Sequence, residues 1–66
     1  MIVELISVGT EILMGNILNS NTQYLAQKCA LLGMDQFYQV TVGDNYGRMT
    51  DTIKQALGRS DIVILT

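Results

Sequence analysis

Short apolar runs alternate along this chain with longer segments of helical periodicity. Residues 3–8 and 61–66 are mostly apolar, as in parallel strands that are covered on both faces. Residues 34–42 alternate apolar and polar side chains, which is typical of an edge strand. The pattern predicts an α/β fold with the element order β-α-β-α-β. Right-handed crossovers then give parallel strands in the order 2-1-3, with the first strand central.

Two helices are predicted to connect these strands. The first begins near Asn19, where Ser20 and Gln23 match a capping box, and it ends at residue 32 before Gly33, the expected left-handed cap. Its buried stripe is predicted to be Leu25, Cys29 and Leu32, with Tyr24 and Leu31 beside it.

The second helix is predicted over residues 46–58, capped by either Asp44 or Asn45. Its buried stripe is predicted to be Met49, Ile53, Ala56 and Leu57. Between the first strand and the first helix, residues 12–18 are predicted to form a mostly apolar loop. Such a loop is expected to pack under a further segment or a second subunit.

Composition excludes several classes of function. The chain has 66 residues and a net charge of −2, and its four basic residues never cluster, which argues against nucleic-acid binding. One cysteine allows no internal disulfide and favours a reducing, cytoplasmic setting. No apolar run approaches the ~20 residues of a membrane span. Histidine is absent, so any acid–base or metal chemistry must use other side chains.

Candidate chemistry collects where the strands end. Gly9, Thr10 and Glu11 follow the first strand and Asp44 follows the second, and open α/β sheets bind ligands outside the carboxyl ends of their strands. Glu11 and Asp44 lie at the ends of neighbouring strands, so their carboxylates could reach one divalent ion. Glu4 is expected at the opposite edge, as a surface charge, together with Asp35 and Asp61.

Each of these assignments has a simpler alternative. Asp44 is equally suited to capping the second helix. Glu11 could serve only the turn or a subunit contact, and the Thr10 hydroxyl could bond its own backbone.

Three segments carry a family resemblance: GTEILMGNILNSN, then VGDN, then SDIVILT. In this order and spacing they resemble the N-terminal domain of the competence/damage-inducible CinA family, one of the molybdopterin-binding (MoaB/Mog-like) domains. The resemblance covers essentially all 66 residues and implies a three-layer α/β/α fold with a mixed sheet. In that family the third strand leads into a glycine-rich loop. We therefore expect residues 1–66 to be the N-terminal part of a single domain.

The resemblance also implies a function and a set of site residues. Relatives suggest an ADP-ribose pyrophosphatase, a hydrolase that uses a divalent ion such as Mg, Mn or Co, and Mog-type relatives bind molybdopterin. It implies a nucleotide or pterin ligand and a homo-oligomer. Asp44 is implied as a catalytic residue and, with Glu11, as a metal ligand. The implied ligand-binding residues are Gly9, Thr10, Glu11, Asn19, Asn21 and Asp44.

Three functions remain open at this point. The first is part of a metal-dependent nucleotide pyrophosphatase, inactive on its own. The second is a pterin- or nucleotide-binding module without chemistry. The third is a structural segment that folds only through contacts with further chains. For Asn19 and Asn21, a place in the turn and first helical turn is the simpler alternative to ligand binding.

Overall fold

A central parallel strand organises the computed structural model, which describes residues 1–66. The sheet has three strands in the order β2-β1-β3, and both pairings are parallel, as predicted. The elements are β1 (Val3–Val8), α1 (Thr10–Leu13), α2 (Ser20–Leu31), β2 (Gln39–Val42), α3 (Tyr46–Leu57) and β3 (Ile62–Leu65). None of these helices has the length and apolar character needed to cross a membrane.

The two faces of β1 are covered by different helices. Val3 and Leu5 pack with Cys29 of α2 on one face, whereas Ile6 packs with Ala56 of α3 and with Val42 on the other. Successive side chains of a strand point to opposite faces, so the apolar residues on both faces of β1 are what a doubly covered strand requires. The three-layer α/β/α arrangement is thereby confirmed, and so is the prediction that Cys29 is a core residue.

Two segments differ from the predicted secondary structure: one strand is shorter than predicted, and one predicted loop contains a short helix. The second strand begins at Gln39 rather than at residue 34. Before it, only an isolated bridge joins Asp35 to Ile2, and the Gln36 side chain donates to the backbone oxygen of Ala26. Conversely, the predicted loop over residues 12–18 is entered through the short helix α1. Its later apolar side chains are exposed in this chain: Leu13, Met14, Ile17 and Leu18.

The face that α2 turns toward the sheet includes Leu25 and Cys29 of the predicted stripe but not Leu32. Leu32 is 73% exposed, and the neighbouring Tyr24 and Leu31 are also exposed. The covered face is made by Thr22, Leu25, Ala26 and Cys29. A threonine therefore occupies the first core position of the helix, which a search for apolar residues alone overlooks. Gly33, at φ 77°, is the expected left-handed cap.

Asparagines begin both long helices. The predicted capping box at Ser20 is wrong, because Asn19 is the N-cap of α2 and its Oδ1 accepts from the Thr22 N–H at 3.3 Å. Asn45 caps α3, with its Oδ1 accepting from the Arg48 N–H at 2.9 Å. Helix α3 ends at Leu57, which is 60% exposed rather than part of the buried stripe.

Glu4 is not a surface charge, as the sequence suggested, but a wholly buried one. Its Oε2 accepts from Arg59 Nη2 at 2.7 Å, and its Oε1 accepts from Arg59 Nε at 3.0 Å and from Ser60 Oγ at 2.9 Å. The Arg59 guanidinium also stacks on the ring of Tyr38. These donors repay the desolvation of a buried carboxylate, which would be costly without partners. Hydrogen bonds from Arg59 hold the pKa of Glu4 below its usual value, against the opposing effect of burial.

The buried ion pair predicts a specific acid sensitivity. Glu4 has a pKa near 4.5 in the unfolded chain and a lower pKa in the folded chain. Its contribution to stability is therefore present above about pH 4.5 and is lost as the pH falls from there through the lower pKa of the folded state. Glu4→Gln should lower the free energy of unfolding at pH 7 by about 1–3 kcal/mol and flatten its decline below about pH 5. Melting temperatures between pH 7 and 3 measure both effects.

Asp51→Asn is the matched control, because it also neutralises one acid but on the exposed side of α3. Its acid profile should follow that of the unmodified chain. A Glu4→Gln profile with the unmodified slope would contradict the assignment.

Candidate functional site

The carboxyl ends of the strands meet at one edge of the sheet, which we call the rim: Gly9–Leu13, Gly43–Asn45 and Thr66. The register pairs Val8 with Val42, and the Gly9 N–H donates to the Val42 oxygen at 2.9 Å. On the other side the Val8 N–H donates to the Thr66 oxygen at 3.0 Å. The loops that follow β1 and β2 therefore leave the sheet side by side.

Thr10 joins these two loops directly. Its Oγ1 accepts a hydrogen bond from the backbone N–H of Asp44 at 3.1 Å. Gly43 lies so close that a Cβ placed there would stand 3.4 Å from Thr10 Oγ1. The Thr10 hydroxyl is bonded to a neighbouring loop, not to its own backbone, and it fixes the turn that carries Asp44.

The Asp44 side chain does not cap helix α3. Asn45 performs that role for α3, and Asp44 itself is exposed, with no side-chain hydrogen bond within the chain. Its carboxylate is therefore available at the rim. This removes the simplest alternative to a ligand-binding role, and the role itself stays a prediction.

Glu11 folds back against the start of its own loop. A Cβ built on Gly9 would lie 2.9 Å from Glu11 Oε1, closer than such atoms normally approach. The absence of a side chain at Gly9 therefore gives the Glu11 carboxylate its place beside the end of β1. Gly9 acts here through close approach, because its φ of 160° is an extended conformation that other residues adopt.

A third group of polar side chains stands behind the rim. Asn19 Nδ2 donates to Ser7 Oγ at 2.6 Å, and Ser7 Oγ shares a hydrogen bond with Thr22 Oγ1. Both polar atoms of the Asn19 amide are thus engaged inside the chain, whereas Asn21 is exposed in the first turn of α2. Sequence reasoning missed Ser7, although a serine among the apolar residues of a buried strand was the available signal.

The structure separates the acidic residues as predicted. Glu11 and Asp44 belong to the rim, whereas Glu4, Asp35 and Asp61 lie at the opposite edge, where the Asp61 carboxylate accepts from the Ile2 N–H at 2.8 Å. The chain nowhere gathers three or more acidic, histidine or cysteine side chains around a possible ion, and the rim encloses no pocket. The rim is therefore an open ledge with two carboxylates, and their role as metal ligands stays a prediction.

Comparison with known proteins identifies relatives of this chain. One family, described as a probable molybdopterin binding domain, matches residues 4–66. A competence-damage inducible protein of Symbiobacterium thermophilum is 56% identical over 64 residues, which is 97% of this chain and 15% of that protein. A protein of the same description from Caldicellulosiruptor bescii is 56% identical over 66 residues, covering 100% of this chain and 16% of the relative.

A solved structure shares the fold. It is the protein CinA, described as of unknown function, from Thermoplasma acidophilum, and it superimposes with a TM-score of 0.92 at 27% identity. The match covers 96% of this chain and 37% of that protein. The chain thus spans a small part of the length of the relatives it matches.

The contact between Gly9 and Glu11 can be tested by substitution. Gly9→Ala should displace the Glu11 carboxylate, because the group that must yield is the end of a flexible side chain. The loss of folding free energy should stay below about 1 kcal/mol. NMR contacts between the Glu11 side-chain protons and the Hα of residue 9 should weaken. Gly58→Ala, whose added Cβ would meet nothing closer than 3.5 Å, is the control. Persistence of those contacts at unchanged strength would contradict the arrangement.

The hydrogen bond from Asp44 to Thr10 predicts a local effect on the second loop. Thr10→Val keeps the shape of the side chain but removes the acceptor of the Asp44 N–H. Hydrogen exchange at Asp44 should accelerate by about two- to tenfold, as for the loss of one ordinary hydrogen bond. Thr10→Ser retains the hydroxyl and should preserve the slow exchange. Equal exchange in the valine and serine variants would show that the bond does not hold the turn.

Proposed function

This chain belongs to the family described as probable molybdopterin-binding domains, in its CinA branch, and on that basis we propose that its rim forms part of a nucleotide- or pterin-binding site. In the parent domain this site hydrolyses the pyrophosphate bond of ADP-ribose. The chain contributes one side of the site and needs the rest of the domain for activity.

One observation carries the proposal: the hydrogen bond between Thr10 Oγ1 and the Asp44 N–H. It holds the turn after β1 and the turn after β2 in contact, so Glu11 and Asp44 are presented from neighbouring loops. Ligands of open α/β sheets bind at this edge. The remaining acidic groups of the sheet are at the far edge or paired with Arg59, so they do not compete for this role.

The amino end of α3 supports an anionic ligand at the same place. The helix begins at Tyr46, directly after the turn that carries Asp44. Its first N–H groups lack partners within the helix, and the helix dipole favours negative charge there. The Asn45 side chain engages only the N–H of Arg48, which leaves the earlier N–H groups for a phosphate oxygen.

A divalent metal is compatible with the two rim carboxylates. Mg²⁺ is commonly held by one or two carboxylates together with phosphate oxygens of the substrate, so a cage of three or more protein ligands is not needed. Glu11 and Asp44 would hold the ion. When bound, it would offset the negative charge of the pyrophosphate, a task for which the chain has few basic residues.

A second candidate is a binding module for molybdopterin without hydrolysis. The description of the matching family favours it, since that description names binding and no reaction. The chain also contains no histidine, so within this chain the rim carboxylates are the candidates for a general base. The two candidates place the ligand on the same rim and differ in whether Asp44 takes part in bond cleavage.

Hydrolysis can be tested in a chimera in which this chain replaces the matching 64 residues of the Symbiobacterium thermophilum relative. We expect turnover of ADP-ribose that requires an added divalent ion. Asp44→Asn should reduce kcat/KM by at least about 100-fold, the usual effect of losing a positioned acid–base group, without changing the melting temperature.

Asp51→Asn is the matched control, since it makes the same chemical change at an exposed position of α3. It should retain full turnover. Full turnover in the Asp44 variant would remove Asp44 from the catalytic role. The binding module would be favoured by a different result. The Symbiobacterium thermophilum protein would hydrolyse ADP-ribose, whereas the folded chimera would bind molybdopterin tightly and hydrolyse no ADP-ribose.

A further inference from the structure

Ser7 is a polar residue in the most buried strand of the molecule. It is 1% exposed, and the residues on the same face of β1, Val3 and Leu5, are apolar. An unpaired hydroxyl in such a place would be strongly unfavourable, whereas an apolar residue of similar size would not. Its hydrogen bonds therefore offset the cost of burying its hydroxyl.

Those hydrogen bonds form a closed ring. Ser7 Oγ accepts from Asn19 Nδ2 at 2.6 Å and bonds Thr22 Oγ1, while Asn19 Oδ1 accepts from the Thr22 backbone N–H at 3.3 Å. The ring joins the carboxyl end of β1 to the start of α2. It also explains the rotation of α2, because Thr22 must face the sheet to reach Ser7.

The ring closes the loop that carries the rim residues. The chain leaves β1 after Val8 and returns at Asn19, so residues 9–18 are bracketed by the contact between Ser7 and Asn19. The second half of this loop has little burial to hold it, since Met14 is 69% exposed and Leu18 is 91% exposed. Its backbone bonds are local, such as Gly15 N–H to Ile12 and Asn16 N–H to Glu11.

We infer that Ser7 is a positioning residue for the rim. By fixing Asn19 against the end of β1, it sets the path of the loop that presents Thr10 and Glu11. Asn19 then acts through this joint, and its amide orients the first turn of α2. The expected effect on turnover rests on the proposed hydrolysis of ADP-ribose. The expected effect on the position of the loop rests on the hydrogen bonds alone.

Hydrogen exchange of the 66-residue chain tests the loop without any ligand. Ser7→Ala should accelerate exchange at Gly15 and Asn16 by about tenfold beyond the change at Ile6 in the core. Ser60→Ala is the matched control, because it also removes a hydroxyl bonded to a buried group of β1, but at the opposite edge. It should change all amides in proportion. Proportional acceleration in both variants would overturn the inference.

Turnover in the chimera tests the consequence for the site. Ser7→Ala should lower kcat/KM for ADP-ribose by about tenfold or more per folded molecule, and Ser60→Ala should not. Asn19→Ala should lower it similarly, and the double variant should be no worse than either single one, as for groups that act as a unit. Equal turnover in the Ser7 and Ser60 variants, at matched melting temperatures, would overturn the positioning role.

The two proposals fail in different ways. An unmodified chimera that is folded but does not hydrolyse ADP-ribose would refute the proposed function. The exchange experiment would still decide whether Ser7 holds the loop.

Discussion

The double burial of β1 constrains the rest of the molecule. Because helices cover both faces of this strand, every polar group on it must find a partner inside the protein. Two side chains on it are polar and buried, Glu4 near its amino end and Ser7 near its carboxyl end. They lie on opposite faces, since their sequence separation is odd. Each face of the strand therefore has a single polar anchor, at opposite ends.

These two anchors organise different parts of the chain. On the α3 face, Glu4 gathers Arg59 and Ser60 and so holds the turn that leads from α3 into β3. On the α2 face, Ser7 gathers Asn19 and Thr22 and so holds the start of α2. The first anchor is charged and serves the edge away from the rim. The second is neutral and lies directly behind the residues proposed to bind the ligand.

Some residues of the rim stabilise its structure, whereas others expose their side chains to solvent. Thr10 and Asn45 use their side chains to fix the backbone of neighbouring turns. Gly9 provides space for the Glu11 carboxylate. Glu11 and Asp44 then remain as the exposed carboxylates, which is the arrangement expected where charge is kept for a ligand rather than for stability.

The sequence by itself determined the order of the strands and the two long helices, the parallel sheet with β1 at its centre, and the neighbouring positions of Thr10, Glu11 and Asp44. Each follows from local periodicity and from the rule that parallel strands end at the same edge. Only the tertiary structure decided the burial of Glu4, the choice of Asn45 over Asp44 as a cap, and the rotation of α2 toward Thr22. These depend on partners distant in sequence, such as Arg59 for Glu4 and Ser7 for Thr22. A polar side chain carries no local sign of whether such a partner exists, because water or a buried donor satisfies it equally well until the chain is folded.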